Sequence, residues 1–222
     1  MGPIDASVAP RLVRIDAIVA PTEEAGLAAA GRRLEEALVM ATGAPWRIEM
    51  RLLDALPRAE CGAAMVASLL SEVAGRSTLE EVEARWRELL SVARRTYPAT
   101  LLCTVFRHVP RGSTNETEIV ERIRRLDLLA AELSYATGCA VVDVDRDLAH
   151  IGAARMQCDF QLRGGIAERV MGHVIAAAIL SVGLDDVVEA KLRALALRRL
   201  GKLSLDGTLH PVAGSSSGTI RP

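Results

Sequence analysis

The chain has 222 residues, 50% of them hydrophobic and 25% charged, which fits one large folded domain and excludes a disordered or collagen-like chain. Its 27 basic and 28 acidic residues give a formal net charge of -1, so no net field favours binding to nucleic acid or to an anionic membrane. Aromatic residues make up only 3%, too few for the stacking surfaces that bind single-stranded nucleic acid, and we expect a soluble protein with neither kind of partner.

The first part of the chain predicts two strands around a helix, and then a third strand. Residues 13–20 form a short apolar run that ends at a proline, which is typical of a buried strand. Residues 23–42 are rich in alanine and leucine, carry acidic residues early and stop at a glycine, which predicts a helix. Apolar and charged residues alternate over 46–52, as in a strand at a sheet edge, and residues 63–70 form another apolar run.

Helices and strands also alternate through the middle of the chain. Thr78 and Glu81 form a capping-box pattern, and apolar residues at helical spacing follow it. Residues 99–106 and 139–144 are apolar and rich in β-formers, which predicts inner strands covered on both faces. Between them, residues 115–138 predict a helix that begins at an asparagine and ends at a glycine.

Two more helices are predicted over residues 166–182 and 186–200, each followed by a glycine, and the tail 203–222 is expected to be mobile. The strongly apolar residues 174–182 are too few to span a bilayer and indicate a buried helix. Strands that alternate with amphipathic helices pair in parallel through right-handed crossovers. The predicted fold is therefore a three-layer α/β/α sandwich with a mostly parallel five-stranded sheet.

The domain organisation and the position of the binding crevice follow from this fold. We predict a single domain over residues 1–202, with its core at 12–185 and an extra C-terminal helix. In such sheets the crevice lies beyond the C-terminal ends of the strands. The loops expected there are residues 21–25, 71–77, 107–115 and 145–165.

The cysteines and the N-terminus predict the cellular environment. The four cysteines form no C-x-x-C pair, so they indicate buried free thiols and neither a zinc site nor a redox motif; they are Cys61, Cys103, Cys139 and Cys158. Residues 1–10 lack the basic and apolar regions of a secretory signal. We therefore expect a cytoplasmic protein.

The order of elements resembles that of the SGNH/GDSL hydrolase-like family. The corresponding segments are the strand 100–106, the helix containing 123–133, the strand 140–145 and the segment 159–165 that opens the last core helix. The resemblance is one of architecture over most of residues 12–185. It implies a flavodoxin-like sheet and a hydrolase acting on a small acyl, ester or sulfate-ester substrate.

The sequence motifs of that family are present only in part. The family places a serine nucleophile in a Gly-Asp-Ser turn after the first strand, and here the corresponding turn is residues 20–22, with Thr22 at the serine position. The family's Gly-x-Asn-Asp block falls near residues 71–74, where the asparagine is missing. Its last block pairs an aspartate with a histidine three residues later, whereas here Asp159 is followed by Leu162.

Without that histidine, the chemistry needs another base. A hydroxyl such as that of Thr22 is a weak nucleophile unless an adjacent group removes its proton. Asp159 would need burial or an acidic neighbour to serve as that base. Glu23, Glu24 and Glu72 are predicted to converge on the crevice, where clustered carboxylates can donate or accept protons. The alternative interpretations are that Thr22 caps a helix and that Asp159 is a turn residue.

The loop after residue 106 supplies the remaining candidates. His108 is the histidine best placed to act as a replacement base. Arg107 would bind a carboxylate, sulfate or phosphate group by a bidentate contact, which suits an anionic substrate, and Ser71 is a second candidate substrate-binding residue.

No metal and no cofactor is predicted. Asp143 and Asp145 alternate on a predicted strand and would share one face, with Asp147 nearby, but no histidine or further carboxylate completes a ligand set. The chain has neither a Gly-x-Gly-x-x-Gly after the first strand nor a Walker motif, which argues against dinucleotides and nucleoside triphosphates.

Our leading hypothesis is a diverged SGNH/GDSL-like hydrolase with a small-molecule substrate. The alternatives are an elimination or cyclisation enzyme of small-molecule biosynthesis that uses the same crevice, and a pseudoenzyme that binds a partner protein. The mean hydropathy of +0.22 and the apolar residues of helix 186–200 favour a homo- or hetero-oligomer that covers some apolar area.

Overall fold

A computed structural model describes residues 9–57, 60–150, 152–153 and 158–201. The tail 203–222 and residues 1–8 lie outside this range, so the expectations for these segments stay predictions. The elements of the described residues are β1 Arg11–Ile18, α1 Glu24–Thr42, β2 Trp46–Leu52, β3 Ala64–Ser68, α2 Leu79–Thr96, β4 Ala99–Cys103, α3 Glu116–Thr137, β5 Ala140–Val142, α4 Val144–His150, α5 Gly165–Ala178 and α6 Ala190–Leu200.

The sheet is parallel and has the strand order β2-β1-β3-β4-β5. Every residue of β3 and β4 is buried, whereas β2, at one edge, is mostly half-buried or exposed. On one side α1 packs against α5 and α6, and α2 packs against α3 as the second helical pair. The predicted α/β/α sandwich with a five-stranded parallel sheet is confirmed.

Local sequence signals account for where the long helices begin and end. The Thr78 hydroxyl accepts a hydrogen bond from the Glu81 N–H at 3.2 Å, and the Glu81 carboxylate accepts one from the Thr78 N–H at 2.9 Å, which is the predicted capping box. Gly43 and Gly138 end α1 and α3 in the left-handed conformation, with φ of 67° and 75°. The predicted bounds of α1, β2 and α3 are therefore confirmed to within one residue.

The prediction that Asp143 and Asp145 alternate on a strand is wrong. β5 ends at Val142, and the Asp143 carboxylate accepts a hydrogen bond from the Arg146 N–H at 3.0 Å, so it caps α4. Asp145 lies in the first turn of this helix. The physical reason is that the first backbone N–H groups of a helix have no partner within the helix, and an aspartate at this position accepts a hydrogen bond from one of them.

The predicted C-terminal helix begins four residues later than expected and packs on its own domain. Residues 184–188 form turns, in which the Val188 N–H donates to the Leu184 carbonyl at 2.9 Å. α6 packs against α1 and against the π-helical turn Ile179–Gly183. Its apolar face is thus largely used within the chain.

The predicted helix 166–182 is confirmed as the helical stretch Gly165–Gly183, which by length and composition alone is able to cross a membrane. Half of it is buried inside the protein, and α5 packs closely on α1. A Cβ atom at Gly172 would lie 2.7 Å from the Cβ of Ala29, so the crossing leaves no room for a side chain. A core helix of a soluble protein has these same features.

An ionic network is buried within the sheet. Asp16 of β1 is fully buried and accepts two hydrogen bonds from Arg51 of β2, at 2.7 and 2.9 Å. The Gly62 N–H and the Tyr97 hydroxyl also donate to it, at 3.0 and 2.8 Å. Burial alone would raise the pKa of Asp16, but these hydrogen bonds outweigh it and hold the pKa below its usual value. Asp16 is therefore charged and depends on Arg51.

Candidate functional site

The predicted crevice lies where β1 and β3 end side by side. After β1 the chain continues to β2, on one side of β1, and then to β3, on the other side of β1. The strand order therefore reverses between β1 and β3. A short 3-10 turn, Pro21–Glu23, follows β1, and a second one, Leu70–Glu72, follows β3. These turns carry four of the predicted site residues, which are Thr22, Glu23, Ser71 and Glu72.

Glu23 is the central side chain of this crevice. Pro21 starts the turn, and the Glu23 side chain folds back so that its Oε2 accepts a hydrogen bond from the Ala20 N–H at 2.8 Å. Its Oε1 accepts a hydrogen bond from the Ser68 hydroxyl, at the end of β3, at 2.7 Å. Glu23 and Ser68 are each only 1% exposed. One carboxyl group thus joins the C-terminal ends of the two strands.

Burial changes the acidity of Glu23. Desolvation raises its pKa from the usual 4.5 to about 7, although the hydrogen bonds from Ser68 and Ala20 act in the opposite direction. Near neutral pH this group is present in both its protonated and ionised forms. A carboxyl group with this property at a strand-end crevice is suited to proton transfer.

A buried thiol lies at the end of the next strand. Cys103 is the last residue of β4 and is fully buried. Burial raises the pKa of its thiol, and the charge of Glu23 adds to the rise. The thiol is therefore neutral, and the interpretation of Cys103 as a buried free cysteine is confirmed.

Thr22 lies half-buried in the turn beside Glu23. The alternative interpretation, that Thr22 caps the following helix, is wrong, because the residue at the cap position of α1 is Glu23 and no side chain makes a capping hydrogen bond there. Thr22 thus follows the first strand, at the serine position of the resemblance.

Glu72 does not meet Glu23. Its carboxylate accepts hydrogen bonds from the Arg85 guanidinium at 2.6 Å and from the Trp86 indole N–H at 2.9 Å, both on α2. The predicted convergence fails because this buried carboxylate is satisfied by donors on the neighbouring helix. Ser71, beside it, is exposed.

The Arg107 side chain forms an ion pair with Asp145 of the same chain. Its guanidinium donates to Asp145 at 2.7 Å, and its backbone N–H donates to the same carboxylate at 2.8 Å. The bidentate geometry predicted for an anionic substrate is therefore used internally.

His108 and Asp159 lie on two loops that the fold brings together. The Phe160 N–H donates to the His108 carbonyl at 2.8 Å, which joins the loop after β4 to the loop before α5. The Asp159 carboxylate accepts a hydrogen bond from the Gln161 N–H at 2.9 Å and so stabilises its own turn. Both side chains are half-buried, and Asp159 also fulfils the alternative role of a turn residue.

Leu162 takes the place of the missing histidine, and it does so in an unusual conformation. Its φ is 56°, in the left-handed region that leucine rarely adopts, and its side chain is 3% exposed. Its N–H donates to the Asp159 carbonyl at 3.0 Å. The Leu162 side chain therefore packs in the hydrophobic core, while its backbone closes the turn that begins at Asp159.

An acidic cleft of about 460 Å³ lies on the far side of β4, beside α3 and β5. Burial raises the pKa of Asp127 in this cleft to about 7, and Asp127 accepts a hydrogen bond from the Val105 N–H at 2.8 Å. Asp143, Asp145 and Arg107 also line it. In the part of the chain that the structure describes, no group of three or more His, Cys, Asp and Glu side chains is arranged to hold a metal ion.

Sequence reasoning missed Ser68 and Asp127. Ser68 is a polar residue that ends an otherwise apolar buried strand, and this position at the C-terminal end of a parallel strand is a usable signal. Asp127 lies on the predicted helix 115–138, and nothing in the local pattern separates it from the exposed charges of that helix.

No protein-family model matches this chain, and no curated protein sequence matches it. Solved structures share its fold. An alpha/beta hydrolase enzyme from the metagenome of Lake Arreo, Spain, is 16% identical with a TM-score of 0.53, over 79% of this chain and 96% of the other. A GDSL-like lipase from Parabacteroides merdae is 12% identical with a TM-score of 0.55, over 74% of this chain and 94% of the other. A variant of an acetyl xylan esterase from Geobacillus stearothermophilus is 9% identical with a TM-score of 0.54, over 81% and 98% of the two chains.

These likenesses show the fold. The chain has the fold of the SGNH/GDSL-type hydrolases, and the resemblance predicted from the sequence is confirmed at this level. Fold alone does not fix the chemistry, which depends on the residues of the crevice.

Stability is expected to depend on pH through Glu23. Because its pKa is 4.5 in ordinary surroundings and about 7 in the fold, the unfolded chain loses this proton first as the pH rises. The contribution of Glu23 to the free energy of unfolding is therefore fully present below pH 4.5 and falls by about 3 kcal/mol up to about pH 7. Urea unfolding of the wild type and of Glu23→Gln across this range measures it. The variant should show the smaller pH dependence, and equal slopes would contradict the raised pKa.

Proposed function

We propose that the protein is a hydrolase of small carboxylic esters, and that its reaction takes place in the crevice between β1 and β3. The observation that carries the proposal is the buried Glu23 carboxyl, with a pKa of about 7, held by Ser68 at the switch point of the sheet. The names of the structural neighbours, an esterase and a lipase among them, favour an ester substrate. The pairing of Arg107 with Asp145 weakens the argument for a sulfate ester.

In this proposal Thr22 is the nucleophile and Glu23 moves the proton. The Thr22 hydroxyl oxygen attacks the carbonyl carbon of the ester while its proton passes to the Glu23 carboxylate. The bond from that carbon to the alcohol oxygen then breaks, and the alcohol leaves with the proton. Water attacks the resulting acyl-threonine in the same way, which releases the acid and restores Thr22. Ser68 holds Glu23 in place, as the third member of a triad orients the base.

Thr22 is favoured over Ser68 as the nucleophile because of its exposure. Thr22 is half-buried, so a substrate that enters the crevice can reach it. The Ser68 hydroxyl is 1% exposed and is already used, since it donates to Glu23 and accepts from the Leu70 N–H at 3.2 Å.

Hydrolysis of p-nitrophenyl acetate and labelling by a fluorophosphonate test the proposal. We expect turnover by the wild type, a label on the peptide that contains Thr22, and loss of both in Thr22→Ala on the order of a hundredfold or more. Thr22→Ser should keep activity. Thr137→Ala is the control, because it also removes a half-buried threonine hydroxyl, at the far end of α3. A wild type with neither turnover nor label would overturn the mechanism.

A second candidate function, elimination or cyclisation of a small molecule, is favoured by the buried Leu162 at the histidine position. Without a histidine, a reaction in which a carboxyl group moves a proton and no covalent intermediate forms needs fewer groups than hydrolysis through an acyl-threonine. In that case Thr22→Ala would keep most of the activity on the true substrate, whereas Glu23→Gln would lose it.

A further inference from the structure

One face of α3 is exposed and carries large apolar side chains. Leu128 is 67% exposed and Tyr135 is 95% exposed, the highest values among the large hydrophobic residues of the described chain. Arg124, Ala131 and Glu132 are exposed on the same face, at helical spacing. We call these five residues the α3 stripe.

The α3 stripe is continuous with the open edge of the sheet. Among the described strands β5 pairs only with β4, so its other edge has no strand beside it. Val141, in the middle of β5, is 40% exposed and lines the same cleft as Leu128 and Ala131. Together Leu128, Ala131 and Val141 form an apolar rim of the acidic cleft, which Arg124 also lines, and this rim lies next to unpaired strand backbone, a common feature of interaction sites.

The charges of the α3 stripe show which partner fits it. Arg124 and Glu132 lie four residues before and four residues after Leu128, on one ridge of the helix. They are about 12 Å apart along the helix axis, too far to pair with each other. Neither has an ion-pair partner within the residues that the structure describes, whereas the neighbouring Glu121 and Arg125 form a pair at 2.8 Å.

This arrangement is self-complementary. If a second α3 lies antiparallel to the first with a two-fold axis at Leu128, the two Leu128 side chains meet. Arg124 of each copy then lies opposite Glu132 of the other, so the dimer contains two such ion pairs. A polypeptide of unrelated sequence would have to reproduce this spacing of positive, apolar and negative groups.

We propose that the α3 stripe is the contact surface of a homodimer in which two copies of α3 cross antiparallel at Leu128. Leu128 and Ala131 form the centre of the contact, the Arg124–Glu132 pairs lie on either side of it, and Tyr135 of each copy lies beyond these pairs. The proposal does not depend on the activity of the crevice, since none of the stripe residues belongs to the turns Pro21–Glu23 and Leu70–Glu72 that form the crevice.

Light scattering over a range of protein concentrations tests the contact. We expect the wild type to approach twice its chain mass of 23.7 kDa, and Leu128→Glu to stay at the mass of one chain. Leu197→Glu is the matched control, because Leu197 is an exposed leucine, 37% exposed, on a helix of the other layer. It should dimerise like the wild type. A monomeric wild type, or a dimer that survives Leu128→Glu, would overturn the proposal.

Charge reversal tests the orientation. Arg124→Glu alone and Glu132→Arg alone place like charges opposite each other, and each should weaken dimerisation on the order of tenfold or more. When the two variants are mixed, both cross-pairs regain opposite signs, so a heterodimer should form. The double variant Arg124→Glu, Glu132→Arg should also dimerise with itself. Single reversals that dimerise as tightly as the wild type would exclude the antiparallel arrangement.

Discussion

Replacing Arg51 with methionine is expected to lower the free energy of unfolding strongly, well beyond the loss of a surface ion pair. The reason is that Asp16 is fully buried, and two of its four hydrogen bonds come from the Arg51 guanidinium. Methionine keeps the apolar stem of the side chain but leaves a buried carboxylate without its counter-charge. Chemical denaturation at neutral pH measures the loss.

A surface ion pair on the same two strands provides the control. Arg14 of β1 and Glu49 of β2 form a pair at 3.3 Å, with 45% and 52% of their side chains exposed. Arg14→Met should therefore cost less than about 1 kcal/mol. In the double variant Arg51→Met, Asp16→Asn, part of the loss should be recovered, because the uncompensated charge is gone. Equal losses in Arg14→Met and Arg51→Met would contradict the role given to burial.

Glu23→Gln is expected to lower kcat/KM for ester hydrolysis by about a hundredfold to ten-thousandfold, the usual contribution of a positioned acid–base group. Glutamine can still accept a hydrogen bond from Ala20, but it cannot take the proton of Thr22. Since only the ionised form of Glu23 serves as the base, kcat/KM of the wild type should rise through about pH 7 and then level off. The variant should lack this rise.

Glu72→Gln separates catalysis from stability. Glu72 is a second buried glutamate near the crevice, but its carboxylate is bound by Arg85 and Trp86 of α2. Its replacement should lower stability and leave kcat/KM of the folded protein nearly unchanged. Glu23→Gln should lower kcat/KM and raise stability at neutral pH. The reason for the gain in stability is that a buried amide carries no charge, whereas the buried carboxylate does. A loss of stability in Glu23→Gln with unchanged kcat/KM would assign Glu23 a structural role only.

The sequence predicted the framework well where the signals are local. The alternation of residues 46–52 predicts both ends of β2, because one side of an edge strand stays partly exposed. The capping box at Thr78 predicts the start of α2 from a pair three residues apart. The error at Asp143 and Asp145 arose because three apolar residues of β5 are followed directly by a helix, and a polar residue at that junction fits either element.

Of the candidate site, only those residues could be predicted whose position follows from the order of strands and helices. Thr22 and Glu23 follow the first strand of a parallel sheet, so their position at the crevice could be inferred. The contact of Glu23 with Ser68 joins residues 45 positions apart, and that of Arg107 with Asp145 joins residues 38 apart. Such pairings, and the burial that raises the pKa of Glu23, depend on packing that no local pattern encodes.

The left-handed backbone conformation of Leu162 affects how easily this fold could acquire the aspartate–histidine pair of the family. Histidine and asparagine enter the left-handed region more readily than leucine does, so a histidine would suit the φ of 56° better than the present residue. Leu162→His would suit the backbone conformation and place an imidazole after Asp159 at the spacing of the family's motif, but in a buried apolar position. The obstacle is the loss of a buried leucine contact, about 2 kcal/mol, which a stabilising change elsewhere can offset. In evolutionary terms, the aspartate–histidine spacing of the family is one substitution away, and a polar partner for the buried imidazole would be the next change needed.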